Sequence, residues 1–159
     1  MPTKKTMKLD AKEKSLIGIT MGDPGGIGPE VILKALTSPE IRAAANYVVI
    51  GSEKVLSNIS DRVLSDNISV LDLDNFTVNN ALSHKPLPDS GKASVEYILK
   101  GLDLAINGKI DALVTAPISK EAIKLAGYNY AGHTELLKEK TSVENVVMFM
   151  IGKGLRVAF

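Results

Sequence analysis

Residues 16–30 read Leu-Ile-Gly-Ile-Thr-Met-Gly-Asp-Pro-Gly-Gly-Ile-Gly-Pro-Glu, and this stretch decides the class of fold. The apolar run from Leu16 to Thr20 predicts a short buried strand. The glycines that follow predict a tight turn, because glycine adopts backbone angles that other residues avoid. Pro29 suits the first position of a helix, so residues 29–36 are predicted to be helical. A strand that passes through a glycine turn into a helix is typical of α/β proteins.

The rest of the chain repeats this alternation of strands and helices. Strands are predicted at residues 47–50, 70–73, 112–115, 146–151 and 155–159, and helices at 53–59, 90–107, 119–126 and 134–140. Residues 79–89 are predicted to be a loop, and Gly108 and Gly127 to end the helices before them. The last two strands are joined by a predicted tight turn at 152–154. The pattern predicts an α/β fold with a largely parallel sheet and flanking helices.

Composition narrows the class of protein further. The 159 residues are 45% hydrophobic and 23% charged, which is typical of a folded protein rather than a disordered one. The net charge of +1 gives no reason to expect nucleic acid or an anionic membrane surface as a partner. The absence of cysteine excludes disulfides and thiolate ligands and fits a cytoplasmic location. Residues 1–15 are predicted to be a mobile tail, and no apolar run approaches the roughly twenty residues that cross a bilayer.

The glycine turn is the first candidate site. Its helix start offers unpaired N–H groups and the positive end of a helix dipole, which favour an anion. Asp23 either accepts hydrogen bonds from a ligand or braces the turn, and Gly26 lets a ligand approach the backbone. The pattern is neither a P-loop nor a dinucleotide fingerprint, since the required lysine and glycine spacings are missing. A tight turn with no ligand remains the alternative.

A second candidate site follows the strand at 112–115. Residues 114–120 read Val-Thr-Ala-Pro-Ile-Ser-Lys, and ligands of parallel sheets bind beyond the carboxyl ends of strands. Thr115 and Ser119 are positioned to donate to an anion, and Lys120 to attract one. The alternative for Lys120 is an ordinary solvated surface lysine.

The third candidate is the pair His133 and Thr134, which follows Gly132. Thr134 is predicted to be the N-cap of the next helix, so both side chains stand at a positive helix end and suit a phosphate or a carboxylate. The alternative is a capping threonine beside a structural histidine. His84, the only other histidine, is predicted to lie on the surface, and two such distant histidines predict no metal site.

Three segments together resemble one enzyme family. They are residues 22–30, residues 115–121 (Thr-Ala-Pro-Ile-Ser-Lys-Glu) and residues 132–135 (Gly-His-Thr-Glu), supported by the Ser90-Gly91 pair that opens the long helix. In order and spacing they are similar to the 4-hydroxythreonine-4-phosphate dehydrogenases of pyridoxal phosphate biosynthesis. The resemblance covers residues 16–159. Position 25 is often not glycine in that family and position 119 is often asparagine, two departures of little weight.

The resemblance implies a two-domain fold like that of the isocitrate and isopropylmalate dehydrogenases, of which residues 16–159 are the N-terminal part, and a homodimer. It implies oxidation of 4-phosphohydroxy-L-threonine by NAD or NADP, followed by decarboxylation to 3-amino-2-oxopropyl phosphate. His133 and Thr134 match the family's substrate-binding pair, while Asp23, Gly26 and Lys120 are expected to line the cleft. A divalent metal such as Zn, Mg or Co, held by three histidines, would polarise the substrate.

The metal ligands are expected beyond Phe159, so the resemblance implies no metal ligand within these 159 residues. Residues 155–159 stop in mid-strand, which predicts a truncated chain without dehydrogenase activity of its own; a natural edge strand is the alternative. Two other functions fit the same motifs. One is a dehydrogenase of the same family that acts on phospho-D-threonate or phospho-D-erythronate. The other is a non-catalytic phosphate-binding α/β module.

Overall fold

The computed structural model describes residues 14–60, 65–77 and 85–158. Its strands are β1 (Leu16–Thr20), β2 (Asn46–Gly51), β3 (Ile68–Asp72), β4 (Ala112–Thr115), β5 (Phe149–Gly152) and β6 (Leu155–Ala158). Its helices are α1 (Gly28–Leu36), α2 (Pro39–Ala44), α3 (Glu53–Ile59), α4 (Pro88–Ile106), α5 (Lys120–Leu125) and α6 (His133–Thr141). His84 and nearly all of the predicted tail at 1–15 lie outside the described residues.

The first four strands form one sheet in the order β3-β2-β1-β4, and all three pairings are parallel. The register aligns Leu16 with Asn46 and Ile17 with Ala112, so β1 is hydrogen-bonded on both sides. Buried apolar side chains such as Val49 and Ile50 make β2 the most buried strand. The predicted α/β fold with a largely parallel sheet and flanking helices is confirmed.

The helices cover the sheet and build its core. Helix α4 crosses from β3 to β4 and packs against β1, β2 and β4, while α1 packs against α3. The main core joins apolar side chains of the sheet to those of α1, α3 and α4, including Leu36, Leu56 and Tyr97. A smaller cluster of buried residues packs α4 against α5 and α6, and its members are Val95, Ile98, Ile123 and Leu136.

The structure corrects three of the sequence predictions. Helix α2 was not predicted; it has six residues and none is buried, so the apolar spacing that signals a helix is missing there. The segment predicted as a loop to residue 89 already becomes helical at Pro88, because proline suits a first helical turn. Strand β5 begins at Phe149 rather than Val146, since its pairing with β6 spans only four residues.

Other local predictions are confirmed. Gly108 follows α4 with a φ of +63°, and Gly127 follows α5 with a φ of +86°, as expected of glycines that end helices. The turn between β5 and β6 contains Gly154 at a φ of +85°, and the two strands form a separate antiparallel pair. Within the three described ranges, no helix combines the length and the apolar character that crossing a membrane requires.

Candidate functional site

The strand order reverses between β1 and β4. From β1 the chain moves outward to β2 and β3, then crosses back to β4 on the other side of β1. Open α/β sheets bind ligands at such a reversal, just outside the carboxyl ends of the two strands. The glycine turn leaves β1 at this point, and the segment from Ala116 to Ser119 leaves β4 beside it. Two of the three predicted segments therefore meet at the reversal.

Backbone hydrogen bonds tie these two segments together. The Ala116 N–H donates to the Thr20 carbonyl at 3.1 Å, and the Asp23 N–H donates to the Pro117 carbonyl at 2.9 Å. Gly22 has a φ of +72°, and a Cβ there would collide with the Pro117 carbonyl oxygen. Only glycine tolerates both the positive φ and the close approach of Pro117, because other residues are strained at positive φ and carry a Cβ. The glycine turn thus closes directly on the segment that follows β4.

Asp23 has a structural role in this turn. Its side chain is only 7% exposed, and Oδ1 accepts a hydrogen bond from the Gly25 N–H at 2.9 Å. This short loop, closed by an aspartate side chain, is a common way to fix a turn. Of the two roles considered for Asp23, the structure shows the bracing one. Gly26 is exposed, and a Cβ added there would make only ordinary contacts with Asp23.

The start of α5 is fixed by a side-chain cap. Ser119 Oγ accepts a hydrogen bond from the Ala122 N–H at 3.2 Å, which satisfies one of the free amides at the helix start. Close packing holds the same turn on α4, since a Cβ on Gly91 would collide with the Ala122 carbonyl. Lys120, the first residue of α5, is exposed. The side chain of Ser119 is therefore engaged in capping, while Lys120 faces solvent.

The start of α6 differs from the prediction. The N-cap of α6 is Gly132, and Thr134 already lies inside the helix with no capping role. A residue within the first turn has its own helical backbone, so its hydroxyl does not replace the N-cap interaction. Thr134 is exposed, and its side chain is available at the positive end of a nine-residue helix.

His133 is the first residue of α6. It is partly buried, and its Nε2 is buried without a hydrogen-bond partner in the described part of the chain. Burial lowers the pKa of His133 below its ordinary value, and an interaction with the backbone of Ala116 partly opposes that effect. Ala116 is the residue that also bonds to Thr20. The backbone of Ala116 therefore lies near His133, and Nε2 of this imidazole has no partner among the described residues.

Tyr97 lies on α4 beneath the same end of the sheet. It was not among the site residues predicted from sequence. Its side chain is fully buried, and its hydroxyl has no partner among the described residues. Burial raises the pKa of Tyr97, and the charges of Asp72, Glu96 and Asp23 raise it further. The phenol therefore stays protonated. An aromatic residue at core spacing in a helix gives no sequence signal that separates this position from ordinary packing.

A second concavity lies beside the carboxyl end of β3. Its volume is about 470 Å³, and its lining includes Lys54, Asp74, Asn75 and Lys92. Lys54 Nζ lies 2.8 Å from Asp74 Oδ1, and Asn75 Nδ2 donates to Glu96 Oε2 at 2.6 Å. None of the residues predicted from sequence lines this cleft. Its lysines pair with carboxylates of the same chain, so we consider it a weaker candidate than the segments at the reversal.

The described residues do not suit the metal that the resemblance implies. No group of three or more histidine, aspartate, glutamate or cysteine side chains within them is arranged to hold a metal ion. The glycine turn lacks the spacing of a dinucleotide fingerprint as well.

Comparisons with known proteins agree with the fold. A 4-hydroxythreonine-4-phosphate dehydrogenase from Desulforapulum autotrophicum is 38% identical over 91% of this chain and 47% of its own length. A Clostridium botulinum protein named "Putative D-threonate 4-phosphate dehydrogenase" is 35% identical over 92% of this chain and 49% of its own. The solved 4-hydroxythreonine-4-phosphate dehydrogenase from Burkholderia phymatum is 33% identical, with a TM-score of 0.82 over 91% of this chain and 49% of that one.

The chain spans about half the length of the curated relatives that it matches. The family model described as "Pyridoxal phosphate biosynthetic protein PdxA" matches residues 31–159, which include β2 to β6 and two of the three segments at the reversal. The third segment, the glycine turn, lies before residue 31 but within the part of this chain that aligns with its relatives. On this evidence the chain belongs to the PdxA family of pyridoxal phosphate biosynthetic proteins.

Proposed function

We propose that this chain forms the substrate-binding part of a dehydrogenase that oxidises 4-phosphohydroxy-L-threonine and decarboxylates it to 3-amino-2-oxopropyl phosphate. The single observation that carries the proposal is that the Nε2 of His133 is buried and has no hydrogen-bond partner among the described residues. An unpaired buried nitrogen is costly, so a ligand that supplies a hydrogen bond there gains affinity. The family supports the class of reaction, because its relatives are named as dehydrogenases.

The neutral state of His133 suits a substrate hydroxyl or phosphate. Burial lowers the pKa of this histidine, so the imidazole is neutral near neutral pH. One ring nitrogen then carries a proton, and the other can accept a hydrogen bond. When an anionic group binds next to the ring, it favours the imidazolium and raises the pKa. His133 therefore orients a hydroxyl in its neutral form and strengthens its hold on a phosphate by taking up a proton.

Thr134 and Lys120 complete the proposed substrate surface. The Thr134 hydroxyl and the free amides at the start of α6 are donors at the positive end of a helix, where an anion is favoured. Lys120 is exposed at the start of α5 and attracts the same anion from a longer range. In this arrangement Asp23 and Gly26 shape the wall of the proposed site, and neither takes part in the chemistry.

The cofactors are proposed to be held mainly by residues outside this chain. NAD or NADP would accept the hydride, and a divalent metal such as Zn, Mg or Co would polarise the substrate hydroxyl. The complete protein is proposed to be a cytoplasmic homodimer. The chain alone is proposed to bind substrate weakly and to have no dehydrogenase activity. Metal-dependent NADH production by the purified 159-residue chain would overturn that part of the proposal.

The main alternative is a phosphorylated sugar acid as substrate, either phospho-D-threonate or phospho-D-erythronate. The Clostridium botulinum relative, named for D-threonate 4-phosphate, favours this candidate at nearly the same identity. The three compounds share a phosphate and a hydroxyl, which are the groups that His133 and Thr134 are proposed to bind. Turnover of each compound by a protein of the relatives' length that carries this chain separates the candidates.

A substitution at His133 tests the site directly. In a protein of the relatives' length, His133→Ala removes a hydrogen bond to the substrate, which is worth about 1.5–3 kcal/mol when the partner is charged. We expect kcat/KM to fall by about tenfold or more. His84→Ala serves as the matched histidine control and should leave kcat/KM unchanged. Equal losses for both variants would remove His133 from the site, and phosphate binding without turnover of any substrate would favour a non-catalytic binding module.

A further inference from the structure

The cleft beside the carboxyl end of β3 is separate from the residues that are proposed to bind the substrate. Its described lining includes neither His133 nor Thr134. Its volume of about 470 Å³ falls within the range of about 300–1,000 Å³ that small-molecule sites occupy. It also lies at the carboxyl edge of a parallel sheet, where ligands of such sheets bind. A cleft of this size and position has room for a second ligand.

Two lysines give the cleft cationic groups that a ligand can reach. Lys54 Nζ lies 2.8 Å from Asp74 Oδ1. Lys92 Nζ lies 3.8 Å from Glu96 Oε1, which is too far for a hydrogen bond. Both lysine side chains are 64% exposed, and ion pairs this exposed contribute little. A phosphate ester carries about two negative charges near neutral pH, so it can take the place of these carboxylates as the partner of the lysines.

The start of α4 adds to the same positive potential. Asp89 and Lys92, both in the first turns of this 19-residue helix, line the cleft. The N-cap residue is Leu87, whose side chain has no polar group that could cap the free amides of the helix start. The positive end of the helix dipole, which Asp89 offsets in part, therefore faces the cleft. Lysines and a helix start together favour a phosphate group.

The walls of the cleft also contain groups that accept hydrogen bonds. Asn75 Nδ2 donates to Glu96 Oε2 at 2.6 Å, which fixes the direction of the amide. Asn75 Oδ1 is buried and has no partner among the described residues, and such an acceptor is costly to leave unpaired. The carboxylates of Asp74 and Asp89 repel a bare anion but accept hydrogen bonds from hydroxyl groups. The cleft therefore suits a ligand that carries hydroxyl groups as well as a phosphate.

We propose that this cleft is a second ligand site, which binds a hydroxyl-bearing phosphate ester. The phosphate pairs with Lys54 and Lys92 at the start of α4, while hydroxyl groups donate to Asn75 Oδ1 and to Asp74. A free sugar phosphate and the sugar phosphate of a nucleotide share this chemistry. The site uses none of the residues that are proposed to bind the substrate, so it does not depend on the proposed function.

Binding to the 159-residue chain tests the site, with backbone amide chemical shifts as the readout. The probes are D-ribose 5-phosphate, AMP, inorganic phosphate and D-ribose. We expect ribose 5-phosphate to shift the amides of Asn75, Thr77 and Lys92, and to bind about tenfold more tightly than phosphate or ribose, because only the ester satisfies both sets of groups. Tighter binding of AMP than of ribose 5-phosphate would identify a nucleotide as the ligand, and equal or weaker binding a free sugar phosphate.

Matched lysine substitutions locate the contact. Lys92→Gln should weaken binding of ribose 5-phosphate about tenfold, because a hydrogen bond to a charged group is lost, and Lys92→Arg should restore most of it. Lys100→Gln is the control, since Lys100 lies on the same helix and pairs with Asp103 but does not line the cleft. His133→Ala should leave the binding unchanged, which separates this test from that of the substrate site.

Three outcomes would overturn the proposal. The first is an equal effect of Lys92→Gln and Lys100→Gln. The second is binding of inorganic phosphate as tight as that of ribose 5-phosphate, since the acceptors in the cleft would then have no role. The third is a set of shifts confined to the start of α6, which would place the ester at His133 and Thr134 instead.

Discussion

The carboxyl end of the four-stranded sheet and the β5–β6 hairpin use similar residues to opposite effect. At the sheet, Ile50 and Met21 are fully buried, and two backbone hydrogen bonds tie the turn after β1 to the segment after β4. In the hairpin, Ile151 and Met150 are 72% and 57% exposed. Apolar content alone therefore does not say which part of this chain is buried. The residues at the sheet end pack against each other, whereas those of the hairpin are exposed.

The largest expected difference compares two isoleucines. Ile50→Ala removes a fully buried side chain from β2, and such truncations cost about 2–5 kcal/mol of the free energy of unfolding. Ile151→Ala in the hairpin removes atoms that are already in water, so the cost should stay within about 0.5 kcal/mol. Denaturant unfolding of the 159-residue chain measures both. Similar losses for the two variants would break the distinction between the regions.

The next comparison lies within the glycine turn. Gly22→Ala forces a side chain into positive φ and against the Pro117 carbonyl, with an expected loss of about 3 kcal/mol from strain and overpacking together. Gly26→Ala meets only ordinary contacts and should change stability by less than about 1 kcal/mol. Thermal and denaturant unfolding give both values. If Gly22→Ala proved as mild as Gly26→Ala, the turn would not be closed on the β4 segment as described.

A smaller effect is expected at the start of α5. Ser119→Ala removes the hydroxyl that caps the Ala122 amide, and the loss of an N-cap costs about 1 kcal/mol. Ser38 offers a matched control, because it is the N-cap residue of the equally short α2 but makes no side-chain cap. Ser38→Ala should therefore cost clearly less in the same unfolding experiment. A larger loss at Ser38 would contradict the capping role of Ser119.

The smallest effect is a dependence of stability on pH. The pKa of His133 is lowered in the folded chain, so the unfolded chain binds the proton more readily. Stability from this residue is present above the ordinary histidine pKa of about 6.5 and declines as the pH falls below it. The melting temperature of His133→Gln should therefore fall less on acidification than that of the unchanged chain. His84→Gln is the control, and an unaltered pH profile in His133→Gln would contradict the burial of this imidazole.

Local chemistry made much of the sheet end predictable from sequence. The run from Leu16 to Thr20, the glycines after it and Pro29 each carry a backbone preference that acts within a few residues. The helix-ending roles of Gly108 and Gly127 were predictable for the same reason, since a positive φ at a helix end favours glycine. Ser119 shows the limit of such signals: its residue type suits both a cap and an anion ligand, and only the position of the Ala122 amide decides between them.

The features that could not be predicted from sequence depend on residues that are distant in the chain. The start of β5 at Phe149 is set by the length of β6, and the apolar residues before it look the same whether paired or not. Thr134 was expected to be the N-cap because its residue type suits that role, but Gly132 occupies the position. Tyr97 was missed because its lone buried hydroxyl becomes visible only when α4 is packed against the sheet. The resemblance predicted a substrate-binding role for His133, which stays a prediction, and only the structure shows that its buried Nε2 has no partner among the described residues.

The closure of Gly22 on the Pro117 carbonyl also limits how the turn can change during evolution or in a designed library. A library that varied the whole turn would lose most of its members to misfolding at position 22, whatever their binding properties. Diversity belongs at Gly26 and at Ile27, which is 63% exposed beside it. In those two positions, new side chains extend into solvent while the turn that presents them keeps its shape.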